Sequence, residues 1–316
     1  MLWELNDVPS SKPVLQNLMK YQFYQVDVFT GTPLGGNPLA VFVDADGLDR
    51  ERMQKIAREM NLSETTFVVP PSECETDFEI RIFTPAKELP FAGHPVIGTA
   101  HILREIGKVS GDQKLIHLKL RIGTIPVYVE EGGHLFMEHP QSKFLHVVES
   151  VDLVAESLGL PSSAIDPRWP CQIVSTGVPA LFVPIRTLVS IQQIKINSEK
   201  LEKIFKALGT DMVYVFTTET LDSNSTLHSR LFAPFIGVPE DPATGSASGA
   251  VGAYLAKYSV VENDILGSIK IEQGHEMKRP ASIYVQVKQE GTIIKSIRVG
   301  GESVTIIQGQ LKIENW

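Results

Sequence analysis

The chain has 316 residues, of which 43% are hydrophobic and 21% are charged, as expected for a globular protein of two ordinary domains or one large one. Its formal net charge is -8 and lysine and arginine are not clustered, which excludes the basic surface that nucleic acids require. Two cysteines, Cys74 and Cys171, form neither a disulfide framework nor a metal-type spacing, and no segment has the pattern of a signal peptide or a membrane span. We therefore expect a cytoplasmic protein without a nucleic-acid or membrane partner.

The first half of the chain has the pattern of short strands with two helices. Residues 1–20 are polar, carry two prolines and are interpreted as an N-terminal extension outside the fold. Regular structure is expected to begin at Tyr21, with strands in YQFYQVDVF and LAVFV, a helix capped by Asp49, and strands in TTFVV and DFEIRIFT. A loop then leads into a helix that starts near Pro95. Strands in KLIHLKL, GTIPVYV and HLFM complete a predicted first domain over residues 21–140.

The second half repeats this style over a predicted second domain, residues 141–316. Strands are expected at CQIVS and ALFVPI, a helix at EKLEKIFKAL, and strands at MVYVFTT and HSRLFA. The Gly-rich PEDPATGSASG leads into another helix, ASGAVGAYLAKY, and a series of strands follows. Whether these last strands stay in the second domain or cross back to the first is open. Strands outnumber helices without strict alternation, so the pattern predicts an α+β fold.

The two halves share a motif. RIFTPAKELPFAGHPVIGTAHIL begins at Arg81 and RLFAPFIGVPEDPATGSASGAVGAYL begins at Arg230; both open with Arg, an aliphatic residue, Phe, any residue and Pro. Aligning Gly93 with Gly245 keeps the small and apolar positions of the following helices in step. Chance similarity of two strand–loop–helix units is the alternative, but the shared opening favours an internal duplication. A duplicated fold has a pseudo-twofold axis, and ligand sites favour the crevice between domains.

Each copy of the motif places a glycine at a helix start, in Gly93-His94 and in Gly245-Ser246. The first N–H groups of a helix lack intrahelical partners and the peptide dipoles make that end positive, so it binds anions readily. Two such ends facing one cleft would hold a carboxylate well. The alternative is that the glycines only permit turns with positive φ, which is the more common case for a single loop. The matched pair favours binding.

Four side chains near these motifs are candidates for acid–base chemistry. Glu64 lies in SETTFVV beside an apolar run, where burial would raise its pKa towards that of a group that both accepts and donates a proton. His94 lies at a positive helix end, which favours a neutral imidazole. Asp241 and Ser246 lie in EDPATGS. The alternatives are a solvent-facing glutamate, a loop histidine, a turn-forming aspartate and an N-cap serine.

Several motifs with a known cofactor or mechanism are absent from the sequence. It contains no GxSxG, HExxH or GxxxxGK[ST], and no nicotinamide fingerprint. The Gly-rich GTPLGGNP has prolines and no lysine, so it is interpreted as a turn rather than a phosphate loop. The sequence therefore predicts a protein that needs neither a metal nor an organic cofactor.

Taken together, five segments resemble the phenazine biosynthesis PhzF-like isomerases, within the diaminopimelate epimerase-like fold. They are DVFTGTPLGGNPLAVF, SETTFV, RIFTPAKELPFAGHPVIGTAHIL, RLFAPFIGVPEDPATGSASG and QGHEMKRP, and they span almost the whole chain after residue 20. The resemblance implies two similar, pseudo-symmetric domains. Each is expected to be a mostly antiparallel, barrel-like sheet wrapped around a central helix, which follows Gly93 in the first domain and Gly245 in the second.

The resemblance also implies an active site. Glu64, the glutamate of SETTF, matches the proton shuttle of the family, and its other active-site positions correspond to His94, Asp241 and Ser246. Family members are often homodimers. From this we expect a cofactor-free isomerase in which the two helix starts bind the carboxylate of a small substrate. Glu64 would take a proton from one carbon and return it to another, while His94 and Asp241 orient the substrate and tune protonation.

Two other functions remain open at this stage. The same cleft could belong to a non-catalytic module that binds a small acid or a protein partner. Amino-acid racemisation is the second alternative, because racemases of the wider fold use a cysteine at each helix start. Here Ala92 and Thr244 precede the two glycines, so two-thiol racemisation lacks its thiolates.

Overall fold

The computed structural model describes residues 18–73 and 76–314; the predicted extension before Leu18 therefore lies outside the described residues. The first half contains β1 (Leu18–Val28), β2 (Asn37–Phe42), α1 (Arg50–Met60), β3 (Glu64–Val69), β4 (Phe78–Phe83), β5 (Glu88–Leu89), α2 (Gly93–Glu105), β6 (Leu115–Leu120), β7 (Gly123–Val129) and β8 (Leu135–Glu138). The first strand begins at Leu18 rather than at Tyr21, because its N-terminal residues pair with the far end of the chain at Glu314.

The second half has a similar series of elements. It contains β9 (Lys143–Val147), α3 (Val151–Ser157), β10 (Gln172–Ser175), β11 (Pro179–Pro184), α4 (Leu188–Gln192), α5 (Ser198–Leu208), β12 (Val213–Thr217), β13 (Leu227–Ala233), β14 (Val238–Asp241), α6 (Gly245–Lys257), β15 (Ile269–Gln273), β16 (Ala281–Glu290), β17 (Ile293–Gly301) and β18 (Ser303–Glu314). None of the described helices is long and apolar enough to cross a membrane.

The strand pairing repeats between the halves. In the first half β1–β2 is antiparallel, β2–β3 parallel, β3–β4 antiparallel, β4–β6 parallel, and β6–β7–β8 antiparallel. The series β10–β11–β12–β13–β15–β16–β17 follows the same pattern. Two strands at the end of the second half pair with the first half, since β18 pairs with β1 and β17 pairs with β8, whereas β9 pairs with β10 within the second half. This arrangement confirms the predicted α+β fold of two pseudo-symmetric halves; the domain boundary at residue 140 stays a prediction.

One helix of each half is enclosed by strands. Residues on all sides of α2 and α6 are buried, which is the pattern of a helix inside a core rather than on a surface. A Cβ atom added to Gly98 of α2 would lie 2.7 Å from the Leu39 side chain, and one added to Gly252 of α6 would lie 2.7 Å from that of Val285. At these two positions, only glycine leaves room for the strand side chains that pack against the helices.

The first helix of the chain determines where β3 begins. Asp49 caps α1, as predicted, by accepting a hydrogen bond from the backbone N–H of Arg52 at 2.8 Å. The helix ends at Asn61, which adopts a left-handed conformation with φ of 51° and reverses the chain. Three residues later β3 starts, parallel to β2, and its first residue is Glu64. A local turn thus places this carboxylate at the end of a strand.

Candidate active site

The first turns of α2 and α6 meet each other. A Cβ atom added to Gly93 would lie 2.8 Å from the Ser246 nitrogen and 3.1 Å from the Gly245 Cα atom, so only glycine permits this approach. Neither N-cap residue, Ala92 or Thr244, caps its helix with a side-chain hydrogen bond. The positive ends of two helices, with N–H groups available to an anion, therefore lie side by side.

The repeated arginine of the sequence motif fixes the loop before each of these helix starts. Arg81 of β4 donates to Glu88 at 2.8 Å, and Arg230 of β13 donates to Glu240 through two 2.8 Å hydrogen bonds. Both glutamates stand five positions before the helix-start glycine. Guanidinium–carboxylate pairs of this kind have a defined geometry, so each loop is attached to its strand at the same point. The shared Arg-x-Phe opening thus has a structural role.

Glu64 lies beside the first turn of α2. Its side chain is 14% exposed, and its Oε2 atom is 3.2 Å from Nε2 of His94, the second residue of that helix. Neither atom has a hydrogen-bond partner among the described residues, so the contact lacks the angles of a hydrogen bond. Buried polar atoms are rarely left without partners in a purely structural role. The pair therefore marks a point where a ligand could complete the hydrogen bonding.

Burial determines the protonation of both groups. It raises the pKa of Glu64 from 4.5 to about 8, with a further contribution from the negative charge of Asp241. Burial also lowers the pKa of His94 from 6.5 to about 3, and the positive end of α2 acts in the same direction. Near neutral pH, Glu64 is mainly protonated and His94 is uncharged. Their contact is therefore not an ion pair.

Asp241 is the second acid of the site. It ends β14 and is 9% exposed. The Asn37 side chain donates to its Oδ1 atom at 2.8 Å, and the Thr244 hydroxyl donates to its Oδ2 atom. Burial raises the pKa of Asp241 to about 6, although these two hydrogen bonds act to lower it. The pKa of Asp241 is thus lower than that of Glu64. The hydrogen bond from Asn37 also connects the first half of the chain to the acid of the second half.

A cleft of about 420 Å³ between the halves brings together all the side chains and glycines that the sequence analysis selects, namely Glu64, Gly93, His94, Asp241, Gly245 and Ser246. Apolar residues make up most of the remaining wall, among them Leu89, Phe91, Met212, Leu231 and Ile236. A few convergent polar groups in an otherwise apolar crevice are typical of a site for a small molecule.

For each of the two acids, the internal repeat identifies the residue at the equivalent position in the other half. The β3–β4 and β12–β13 pairs have the same register relative to the shared Arg-x-Phe motif, and in this register Met212 is equivalent to Glu64. By alignment of the helix-start glycines, Leu89 is equivalent to Asp241. Each half therefore contributes one acid and one apolar side chain, and the two acids do not form a symmetric pair.

Three contributors to the site are not among the residues predicted from the sequence. Asn37 lies in a Gly-rich turn, Gln273 lies in QGHEMKRP, and Met212 opens a predicted strand. Gln273 donates to the backbone oxygen of Asp241 at 2.7 Å. A signal for Met212 was present, because extending the repeat alignment back to β3 pairs it with Glu64.

The described cysteine and the described potential metal ligands do not add to the site. Cys171 is buried, and burial raises the pKa of its thiol to about 12, so it carries no thiolate near neutral pH. Cys74 lies outside the described residues. Within 18–73 and 76–314, no group of three or more His, Cys, Asp and Glu side chains is placed to hold a metal ion.

Two pseudo-symmetric halves with enclosed, converging helices define the diaminopimelate epimerase-like fold. A hydroxyproline epimerase from Agrobacterium vitis has a similar fold, with a TM-score of 0.62 over 94% of this chain and 93% of its own. The two sequences are 12% identical, so this similarity concerns the fold alone. The chain belongs to the phenazine biosynthesis-like protein family, whose family model matches residues 26–309.

Named relatives agree with this membership. A trans-2,3-dihydro-3-hydroxyanthranilate isomerase from Pseudomonas aeruginosa is 34% identical over 294 residues, 92% of this chain and 99% of its own. An uncharacterized isomerase from Clostridium acetobutylicum is 34% identical over 301 residues, which are 93% of this chain and 99% of its own. A phenazine biosynthesis protein of the PhzF family from Bacillus anthracis is 30% identical, with a TM-score of 0.85 over 93% of this chain and 100% of its own. The chain is an isomerase of this family.

Proposed function

We propose that this isomerase works without a cofactor and moves a proton on a small carboxylate substrate, with Glu64 as the general acid–base group. The observation that carries the proposal is the contact between Glu64 Oε2 and His94 Nε2, two buried atoms without a hydrogen-bond partner among the described residues, beside two converging helix starts. The helix starts provide positive potential for a carboxylate, and the acid beside them has a pKa of about 8.

The proposed reaction is an allylic proton shift. The substrate carboxylate binds at the N–H groups of α2 and α6, and ionised Glu64 removes a proton from a carbon next to a double bond. The electron pair delocalises towards the substrate carboxylate, where the helix N–H groups stabilise the added negative charge. Glu64 then returns the proton to the carbon at the other end of the allylic system. The double bond shifts, and no atom or electron is gained or lost.

Other residues of the cleft support transfer on one face of the substrate. His94 is neutral, and its Nε2 atom can donate a hydrogen bond to the substrate or accept one from it. Burial, with a further contribution from the charge of Asp241, keeps the pKa of Glu64 high. Met212 stands where a second base would stand in a symmetric site. Racemisation needs an acid–base group on each face, so a thioether at this position supports isomerisation instead.

Solvent deuterium exchange tests the proposal. The full chain is incubated in D2O with a panel of unsaturated carboxylic acids, which includes the trans-2,3-dihydro-3-hydroxyanthranilate of the named relative, and exchange is followed by NMR. Glu64→Gln should lower the exchange rate by about 10²-fold or more and leave binding intact. Glu59→Gln, an exposed glutamate of α1, is the matched control and should exchange at the wild-type rate.

Three outcomes would count against this function. Tight binding of panel members with no exchange would point to a binding module, and exchange that persists in Glu64→Gln would remove this residue from the chemistry. Loss of optical activity in a chiral amino acid of the panel would favour a racemase.

A further inference from the structure

Two carboxylic acids, Glu64 and Asp241, line one cleft, and the charge of one disfavours ionisation of the other. Near neutral pH, such a pair holds one proton that either acid could carry. The hydrogen bonds around Asp241 indicate which of the two acids is ionised. The donor and the acceptor of each bond can be identified, because some of the neighbouring groups can only accept.

The amide of Asn37 has only one orientation that fits its neighbours. Its nitrogen lies 2.8 Å from Asp241 Oδ1 and 2.9 Å from the backbone oxygen of Ala243. Since a backbone oxygen can only accept, the NH2 group must face this side. Both of its hydrogens are then used, and one of them goes to Asp241. Asn37 is fully buried at the start of β2, so packing holds the amide in place.

The same reasoning orients Gln273 and, through it, the Thr244 hydroxyl. Gln273 Nε2 donates to the backbone oxygen of Asp241 at 2.7 Å, and its Oε1 accepts from the Thr244 N–H at 3.2 Å. The Nε2 group also donates to the Thr244 hydroxyl oxygen at 3.1 Å. The hydroxyl hydrogen of Thr244 is therefore left for the nearest acceptor, which is Asp241 Oδ2.

We propose that Asn37, Thr244 and Gln273 are positioning residues that hold Asp241 as the ionised member of the acid pair and thereby place the shared proton on Glu64. Each oxygen of Asp241 faces a directed donor, an arrangement that stabilises a carboxylate. The catalytic meaning of this inference rests on the proposed function, whereas the protonation pattern is a property of the free protein. Near neutral pH most of the resting enzyme then presents neutral Glu64 to an incoming anion, and the ionised fraction that removes the substrate proton grows as the pH rises towards about 8.

The other titratable groups around Asp241 do not account for its ionisation. His94 of α2 is uncharged because burial lowers its pKa to about 3. Glu240, the preceding residue, is paired with Arg230 and by its charge raises the pKa of Asp241. Glu64 of β3 adds no positive charge in either protonation state. The two directed donors are thus the groups that favour the charged form.

Carboxyl ¹³C NMR on the full chain with labelled Asp and Glu side chains tests the assignment without a substrate. Signals are assigned with Asp241→Asn and Glu64→Gln, and Asp241 should titrate below Glu64 in the wild type. Thr244→Val removes one donor, so the midpoint of Asp241 should rise by about one pH unit and that of Glu64 should fall by a smaller amount. Thr244→Ser keeps the hydroxyl and should restore both midpoints.

Thr99→Val is the matched control, because Thr99 is fully buried in α2 and its hydroxyl has no hydrogen-bond partner among the described residues. It should leave both midpoints unchanged, whereas Asn37→Leu should shift them in the same directions as Thr244→Val. The inference is overturned if Glu64 titrates first in the wild type, or if folded Thr244→Val retains the wild-type midpoints. Since no turnover is measured, a failed isomerase proposal would show separately, as absence of solvent exchange.

Discussion

Replacement of Glu64 by glutamine tests whether the fold holds this carboxyl in its neutral form. Burial and the charge of Asp241 raise its pKa from 4.5 to about 8. A group whose pKa is higher in the folded than in the unfolded state contributes its full stabilisation below the unfolded value, and this contribution is lost as the pH rises towards the folded value. Glutamine has nearly the same shape and does not ionise. The variant should therefore gain stability relative to the wild type between pH 4.5 and about 8.

The size of this effect follows from the shift. About 3.5 pH units, at about 1.36 kcal/mol per unit, give an upper limit of about 5 kcal/mol above pH 8. The side chain is 14% exposed, and contact with solvent reduces the penalty for its charged form. We therefore expect a gain of roughly 3 kcal/mol in the free energy of unfolding of Glu64→Gln relative to the wild type, at high pH.

Urea denaturation of both proteins at about pH 5 and about pH 9 measures the change. The difference in unfolding free energy should grow in favour of Glu64→Gln as the pH rises, whereas Glu59→Gln, at an exposed position of α1, should follow the wild type at both pH values. A difference that is independent of pH would contradict the assignment, and so would a wild type that gains stability over the variant on the alkaline side.

Three further changes probe the remaining parts of the site. Gly93→Ala places a Cβ atom 2.8 Å from the Ser246 nitrogen. Thermal denaturation should therefore show a loss of about 1–3 kcal/mol in the free energy of unfolding, and substrate affinity should fall as the helix starts separate. A variant that melts at the wild-type temperature would contradict this contact. Asp241→Asn removes the charge that raises the pKa of Glu64, so the rise of kcat/KM with pH should begin at lower pH, and an unmoved profile would exclude the coupling. The pKa of His94 is about 3 in the folded protein, against an ordinary value of 6.5. The wild type should therefore lose stability as the pH falls from 6.5 towards 3, because the unfolded chain takes up a proton that the folded protein does not. Urea denaturation at acid pH should show a smaller loss of unfolding free energy for His94→Gln.

Local chemistry and the repeat allowed much of the fold to be predicted. Asp49 caps α1 at the predicted place, and the Arg-x-Phe motif marks equivalent strands. Both enclosed helices begin earlier than predicted, since α2 starts at Gly93 rather than near Pro95 and α6 starts at Gly245 rather than at Ala247. Glycine is a poor helix former, so propensity assigns it to the loop. In the structure, contact between the two first turns determines these starts.

Features that depend on distant partners could not be predicted from the sequence. The short helices α3 and α4 have one or two turns, too few to show a periodic pattern, and their stability comes from packing. The pairing of β18 with β1 joins the two ends of the chain. Asn37 and Asp241 are 204 residues apart, and no local pattern indicates that a turn asparagine binds the second acid of the cleft.

Label transfer within the substrate tests the central claim most directly. An acid that undergoes exchange is deuterated at the carbon that loses its proton, and single turnovers are followed in H2O. If buried Glu64 takes and returns the same hydron, part of the label must appear at the new position in the product, and Glu64→Gln must abolish this transfer. Product without any transferred label, formed equally fast by Glu64→Gln, would show that another group performs the isomerisation.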